Sequence, residues 1–277
     1  MAAGDRRHGR AHREERHRVA RAAPPRPILI PMALTNRQIE RYSRQLIVPD
    51  FGGVAQERLL AARLLLIANH ADADSVLAYL VGAGVGQIDL RTDLDAPASA
   101  ALIARMRDLN SDPSVRIGPR ISSEFGELGE SGQFDELDLA LVLASDAASL
   151  GQIRVLCERL DNVADKFRPN LAIILARLDH PARIAVIPRR PPCPQCARVG
   201  ELLAPIGARA GNAGLIAMLA ALEAIKLLAQ LGSTAQPRLI EFRGYESSAQ
   251  IIDSVSAAAC GCAASSAAKN AQMNQLT

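Results

Sequence analysis

Hydrophobic residues along this chain fall into short unbroken runs that alternate with longer stretches of helical period. Residues 63–68 (RLLLIA), 137–144 (LDLALVLA) and 171–176 (LAIILA) hardly alternate with polar positions and are too short for stable helices. Such runs predict parallel strands buried on both faces. Residues 87–91 and a short stretch near Val115 predict two more strands. Residues 74–80 and 98–109 carry apolar positions three and four apart, which predicts helices between the strands. Two helices are predicted ahead of this block, at 35–45 behind a Thr35/Asn36 cap and at 54–60. Behind it come a helix at 147–161, a strand at 183–187, a long helix at 212–231 that stops at Gly232, and strands at 238–242 and 249–253. Strands alternating with helices through the first half predict a Rossmann-like, doubly wound α/β sheet.

Composition sharpens this picture. With 277 residues, 49% of them hydrophobic, the chain can bury one substantial core. Aromatics make up only 3% and Trp is missing, so that core must be aliphatic and rich in alanine. Residues 1–31 hold eight Arg and three acids, whereas the rest holds 24 basic and 26 acidic residues. The body is therefore mildly acidic, and nucleic acid is not its expected partner. The Arg-rich leader has no apolar period and ends in a proline cluster, which reads as a disordered extension. Asp5, Glu14 and Glu15 speak against organelle targeting, and a phosphate-attracting arm is the other alternative. The expected division is a leader at 1–31, a folded domain at 32–263 and a polar tail at 264–277. The longest apolar stretch, 213–222, is too short for the ~20 residues of a membrane span, and no secretory signal is visible. A cytoplasmic protein is expected.

Three patches, read together, carry a family resemblance. The first is Arg41-Tyr42-Ser43-Arg44-Gln45 with Ala55-Gln56-Glu57-Arg58-Leu59-Leu60 and the strand that follows. The second is Ala83-Gly84-Val85-Gly86-Gln87-Ile88, and the third is Ala221-Leu222-Glu223-Ala224-Ile225-Lys226-Leu227-Leu228 with cysteine pairs before and after it. In this order and spacing they resemble the ThiF/MoeB/HesA superfamily, relatives of ubiquitin-activating enzymes, over about residues 41–262. The resemblance implies N-terminal helices ahead of the sheet and a C-terminal extension of mixed strands. It also implies acyl-adenylation: ATP·Mg²⁺ activates the C-terminal carboxylate of a ubiquitin-like or sulphur-carrier protein and pyrophosphate leaves.

Each part that this chemistry needs can be sought in the chain. Phosphate must approach backbone N–H groups at the start of the first crossover helix, which requires glycine. The family places a GxGGxG loop there, and here the segment reads Ala68-Asn69-His70-Ala71-Asp72-Ala73-Asp74. Asp72 and Asp74 are expected to cap the helix and would repel a triphosphate. Two like charges about 4 Å apart cost about 4 kcal/mol at an effective dielectric of ~20. The run Gly82-x-Gly84-x-Gly86 lies after that helix, so it predicts a tight helix-to-strand turn and no phosphate cradle. The acid that takes the ribose in relatives aligns with Thr92, and Asp93 follows one residue late. The family's phosphate-neutralising Arg and Lys have no counterpart in Ala96-Pro97-Ala98-Ser99-Ala100-Ala101. Asp146 matches the family's Mg²⁺-associated Asp, although a helix cap would explain it as well. No catalytic residue is expected, ATP·Mg²⁺ is not expected as a cofactor, and the family's sulphur-accepting Cys is missing from 197–214. Cys157, among Ile153, Val155, Leu156 and Leu160, reads as core.

Other features persist. Cys193-Pro194-Gln195-Cys196 and, after 63 intervening residues, Cys260-Gly261-Cys262 supply four thiolates, the number a structural tetrahedral zinc needs. The resemblance implies that Arg44 is lent to the nucleotide of a neighbouring subunit; a solvated face with Arg37 and Arg41 is the simpler reading. The expected function is a non-adenylating member, a pseudoenzyme, in a homodimer or in a heterodimer with an active paralogue. There it would serve as partner or scaffold for a ubiquitin-like carrier or a client peptide. An active adenylyltransferase is the alternative. A dinucleotide oxidoreductase, the third class, lacks the glycine fingerprint and an acid/base pair; His70 and His180 are the only histidines outside the leader, and His180 reads as a turn residue.

Overall fold

The computed structural model describes residues 34–118, 136–145, 171–188, 207–208, 210–232, 237–243 and 246–251. Contacts divide the chain into Met1–Ala33 and Leu34–Thr277, and the fold below belongs to the second unit. The expected leader, the helix at 147–161, Cys157 and the polar tail lie outside the described residues.

Two short helices, α1 (Asn36–Leu46) and α2 (Gly52–Ala61), precede the sheet. Thr35 starts α1 with a reciprocal cap: its hydroxyl accepts from the Gln38 N–H, and the Gln38 side chain accepts from the Thr35 N–H at 3.0 Å. Then come β1 (Arg63–Ile67), α3 (His70–Ala83), β2 (Gln87–Arg91), α4 (Ala96–Leu109), β3 (Ser114–Ile117), β4 (Leu139–Ala144) and β5 (Ala172–Arg177). After β6 (Ala182–Ile187) the long helix α5 (Ala213–Ala229) precedes β7 (Arg238–Arg243) and β8 (Glu246–Ile251). These strands form one sheet in the order β3-β2-β1-β4-β5-β6-β7-β8. The first five are parallel, as a doubly wound sheet requires. Among the described residues the C-terminal strands β6, β7 and β8 pair antiparallel and prolong the same sheet.

Packing follows from the aliphatic runs. Leu64, Leu66, Ile88, Leu90, Leu139, Leu141 and Leu143 all point to one face, where they meet Val76, Leu77 and Leu80 of α3 and Ile216, Ala220 and Ala224 of α5. Alanine fills α5, so the helix can lie close over β4, β5 and β6. Its one buried carboxylate, Glu223, is held by Lys226 at 2.7 Å and by Arg238 of β7. Leu65, Ile67, Ala140, Val142, Ile173 and Leu175 alternate with the first set and are buried too. On β2 that second register is polar: Gln87 donates to Asp89, and Asp89 pairs with Arg116 of β3 at 3.3 Å.

Glycines 82, 84 and 86 form the turn between α3 and β2, as their spacing predicts. Gly84 ends α3 in the left-handed conformation, φ 88°, and its N–H returns to Val81 O at 3.0 Å. Tyr42 closes over this turn from α1. Its hydroxyl donates to Asp112 at 3.0 Å and accepts from the Asn110 amide at 2.9 Å, while that amide also reaches Val81 O at 2.8 Å. Burial first, then the Asp112 carboxylate, push the Tyr42 phenol up to about 12, with the Asn110 bond opposing. The tyrosine of the opening motif is thus a fully enclosed strut joining α1, α3 and the α4–β3 turn. Tyr42→Phe is expected to lose about 1–2 kcal/mol, because Asp112 and Asn110 both lose a partner, and chemical denaturation of the two proteins measures it.

Candidate functional site

In an open α/β sheet the ligand crevice lies at the carboxyl ends of the strands, where the strand order reverses. That point falls between β1 and β4. From β1 the chain moves outward through β2 to β3, then returns to β4 on the other side. The crevice is bounded by the ends of β1, β2 and β4, hence by residues 68–74, 92–95 and 144–145.

Only Ala68 and Asn69 separate β1 from α3. Ala68 is fully buried and donates its N–H to Arg91 O at 3.1 Å. Asn69 caps α3, its side-chain oxygen accepting from the Asp72 N–H at 3.2 Å, while its amide nitrogen donates across the switch point to Ser145 Oγ. The Asn69 carbonyl takes the N–H groups of Asp72 and Ala73 at 3.2 and 2.9 Å. The expected helix start at Asp74 is therefore corrected to His70, and the expected caps, Asp72 and Asp74, to Asn69. Asn69 wins because it already has the extended backbone of a cap, φ −70° and ψ 166°. Asp72 occupies the first turn, almost fully buried, where the positive end of α3 favours a carboxylate. Asp74 pairs with Arg105 of α4.

The neighbouring strand ends complete the arrangement. Thr92 is fully buried and its hydroxyl donates to the exposed Asp93 at 3.3 Å, so an acid does stand beside the end of β2, one residue late. Asp95 caps α4, accepting from the Ala98 N–H at 2.9 Å, and Pro97 lies in the first turn. Residues 96–101 are thus the opening of a helix, whose first cation is Arg105. Arg91 turns its guanidinium toward Gly118, and burial lowers its affinity for the proton, opposed by Asp89. A triphosphate would meet no glycine at the β1–α3 turn and a buried carboxylate in the adjoining helix, so these residues do not fit one. Asp146 lies outside the described residues, as do Cys193, Cys196, Cys260 and Cys262; Ser145, next to the first, is at the crevice. Among the described residues no group of three or more His, Cys, Asp or Glu is placed to hold a metal.

The three arginines of α1 divide. Arg37 donates to Ser111 and lies 4.0 Å from Asp112, and Arg41 donates to Leu109 O at 3.2 Å. Arg44 is exposed and makes no hydrogen bond or ion pair with the described residues. All three are exposed, as a solvated face requires, and two of them also bond within the chain. His180 sits exposed in the bend after β5, ahead of a cis bond to Pro181, in keeping with a turn residue.

One polar pair escaped the sequence reading. Arg177, at the end of β5, and Asp179 are both nearly fully buried, and the Arg177 Nε donates to Asp179 Oδ1 at 2.9 Å. Asp179 also accepts the Gly207 N–H at 2.9 Å. Burial alone would raise its proton affinity, but the guanidinium and this amide outweigh that and hold the carboxyl below its ordinary range. The signal was two charges at the tip of a run otherwise free of them, Ile173 to Asp179.

Together, the strand order and this crevice define a Rossmann-like α/β protein. No family model matches the chain. The molybdopterin-synthase adenylyltransferase of Salmonella typhimurium is 27% identical over 227 residues, covering 76% of this chain and 90% of that protein. The probable adenylyltransferase/sulfurtransferase MoeZ of Mycobacterium tuberculosis is 28% identical over 259 residues, covering 79% of this chain and 61% of the relative. The adenylyltransferase and sulfurtransferase MOCS3 of Bos taurus is 28% identical over 255 residues, and the match covers 80% of this chain but 52% of that one. The chain thus spans most of the first relative and much less of the other two. Among solved structures, E. coli MccB with ATP has the same fold at a TM-score of 0.59 and 16% identity, covering 84% of this chain and 77% of that one. PaaA does so at 0.56 and 12%, with 83% and 78% covered. In sequence the chain is similar to proteins of the ThiF/MoeB superfamily, and the curated relatives named here are adenylyltransferases.

No helix among the described residues is long and apolar enough to cross a membrane.

Proposed function

We propose that this chain is a non-adenylating member of its superfamily, a cytoplasmic dimer partner or scaffold for a ubiquitin-like or sulphur-carrier protein or a client peptide. The observation that carries this reading is the β1–α3 junction. There, two non-glycine residues lead straight into a helix with a buried carboxylate, Asp72, in its first turn. Phosphate binding at a helix N-terminus needs close backbone approach and a positive field. Here the Ala68 amide is committed to Arg91 O, and Asp72 cancels part of the field. The opening of α4 offers no cation before Arg105, and Arg105 is paired with Asp74. Transition-state charge on a transferring phosphoryl group would find no counter-charge there.

Two further parts belong to this proposal. Arg44, free of partners among the described residues, is available to a neighbouring subunit. The donor set of Cys193, Cys196, Cys260 and Cys262 suits a closed structural zinc, which would staple the chain without chemistry. A second reading, ATP-dependent activation of a carrier protein's C-terminus, is favoured by the relatives' activity and by Asp93, which stands near the ribose position. Pyrophosphate exchange separates the two. The purified chain, given ATP, Mg²⁺, labelled pyrophosphate and sulphur-carrier proteins, is expected to form no labelled ATP above an enzyme-free control. Carrier-dependent exchange would establish the second reading.

A further inference from the structure

The turn from α1 to α2 leaves aliphatic side chains outside that the core does not use. Ile47 is 80% exposed, Val48 50% and Val54 55%. Two bonds hold the turn, Val48 N–H to Gln45 O at 3.0 Å and Phe51 N–H to Val48 O at 3.1 Å. The three aliphatic side chains therefore border one corner, while Phe51 turns inward to the core. Arg37, Arg41 and Arg44 are exposed on α1, against Glu40 on the helix and Asp50 in the turn. Leu34, where the chain enters α1, lies beside the start of α2: its Cδ1 is 4.0 Å from where a Cβ on Gly53 would stand. The sequence just ahead of Leu34 is aliphatic, with Ile28, Leu29, Ile30 and Met32. Ahead of those residues stand eight Arg against three acids.

We infer that this corner seats reversibly on an anionic phospholipid surface, with Ile47, Val48 and Val54 entering the boundary between headgroups and acyl chains. Stable attachment of a peripheral protein takes two signals, such as an apolar insertion and a basic tract. Both meet here. The Arg-rich segment joins the fold at Leu34, so Ile28 is tethered within ~20 Å of extended chain from that residue. The side-chain types select lipid over nucleic acid. Single-stranded bases are held by stacking on aromatic side chains, whereas the corner presents branched aliphatics, which gain by leaving water. Anionic lipid is concentrated in the cytoplasmic leaflet, where each basic residue near the surface adds to the attraction. Asp50, held in the left-handed region at φ 65°, opposes that surface. Arg44 cannot face a bilayer and a neighbouring subunit at once, so lipid competes with that pairing. The inference draws nothing from the crevice and stands apart from the non-adenylating reading.

Co-sedimentation of the full chain with sucrose-loaded vesicles tests this, using phosphatidylcholine alone and phosphatidylcholine with phosphatidylserine. The expected result is binding to the mixed vesicles, weakened by salt and at least about tenfold weaker on phosphatidylcholine alone. Ile47→Ser with Val48→Ser is expected to weaken binding about tenfold, and Val54→Ser on the other helix about threefold. Changing Arg6, Arg7, Arg10 and Arg13 together to Gln is expected to weaken it about 100-fold, and Asp50→Asn to strengthen it about threefold. Thermal melts accompany each variant; substitutions at exposed positions are expected to leave the melting temperature nearly unchanged. A chain that leaves the mixed vesicles in the supernatant overturns the inference, and the corner then belongs to a protein partner. Vesicle binding that ignores both serine variants overturns it too. That result would mean adhesion of the basic tract alone, and a single-stranded RNA oligonucleotide would then bind as well as the vesicles do. Pyrophosphate exchange on the same preparations reports on the crevice separately, so failure of either proposal leaves the other standing.

Discussion

Replacing Gly86 by alanine is expected to cost about 3 kcal/mol of stability, read as a lower denaturant midpoint at unchanged slope. Gly86 leads into β2, and its N–H bonds to Leu59 O at 2.9 Å. A Cβ at that position would lie 1.9 Å from the carbonyl oxygen of Leu60 and 2.7 Å from its carbon. Those atoms are backbone at the end of α2, so no side-chain rotation relieves the contact. The α2–β1 connection or the α3–β2 turn would have to move, and both border the core through Leu59 and Val85. Gly82 provides the contrast. It lies in α3, is exposed, and a Cβ there meets nothing within 4 Å. Gly82→Ala should therefore gain about 0.5–1 kcal/mol from reduced backbone entropy in the unfolded chain. Opposite signs at two glycines of one run test the claim that this run is a structural turn.

Removing the carboxylate of Asp179 is expected to destabilise the protein by about 3 kcal/mol or more, since it strips a nearly fully buried guanidinium of its ion pair. Asp179→Ala also deprives the Gly207 N–H of its acceptor, loosening the segment that leads into α5. Replacing both members, as Arg177→Met with Asp179→Leu, should cost less than the single change, because no uncompensated charge stays buried. The pair carries a pH signature. The folded carboxyl binds its proton less readily than the unfolded one, so its contribution is complete above the unfolded value of about 3.9. It is lost as pH falls through the lower, folded value. Urea melts between pH 7 and pH 3 should show the wild type losing this margin at the acid end, while Asp179→Ala loses less there.

Much of this architecture was legible because burial on both faces leaves little choice of residue. The run of leucines after Arg63 and the alternation at 87–91 locate β1 and β2 within a residue. Thr35 announces α1 because its cap is chemistry local to four residues. The start of α3 was misread for a related reason. Asp72 and Asp74 are good caps by residue type, but Asn69 reaches the free N–H groups first, and tertiary contact with Ser145 holds it there. No local rule supplies that contact. The Arg177–Asp179 pair was hidden because its worth lies in burial, which the two residue types do not announce. Likewise, sequence alone could not separate Arg44 from Arg37 and Arg41, because their difference lies in what the α4–β3 turn presents to each.

The resemblance implies a bare backbone at the first crossover helix, whereas this chain has a capped, carboxylate-bearing helix start there. Such a start is good for stability, since a cap contributes about 1 kcal/mol and an acid in the first turn adds to it. On the proposed reading, the same start opposes a triphosphate. Titration calorimetry of the isolated chain with ATP·Mg²⁺ addresses this directly. No heat of binding up to about 1 mM nucleotide is the predicted result; saturable binding with a micromolar Kd, abolished by a bulky substitution at Ala71, would contradict it.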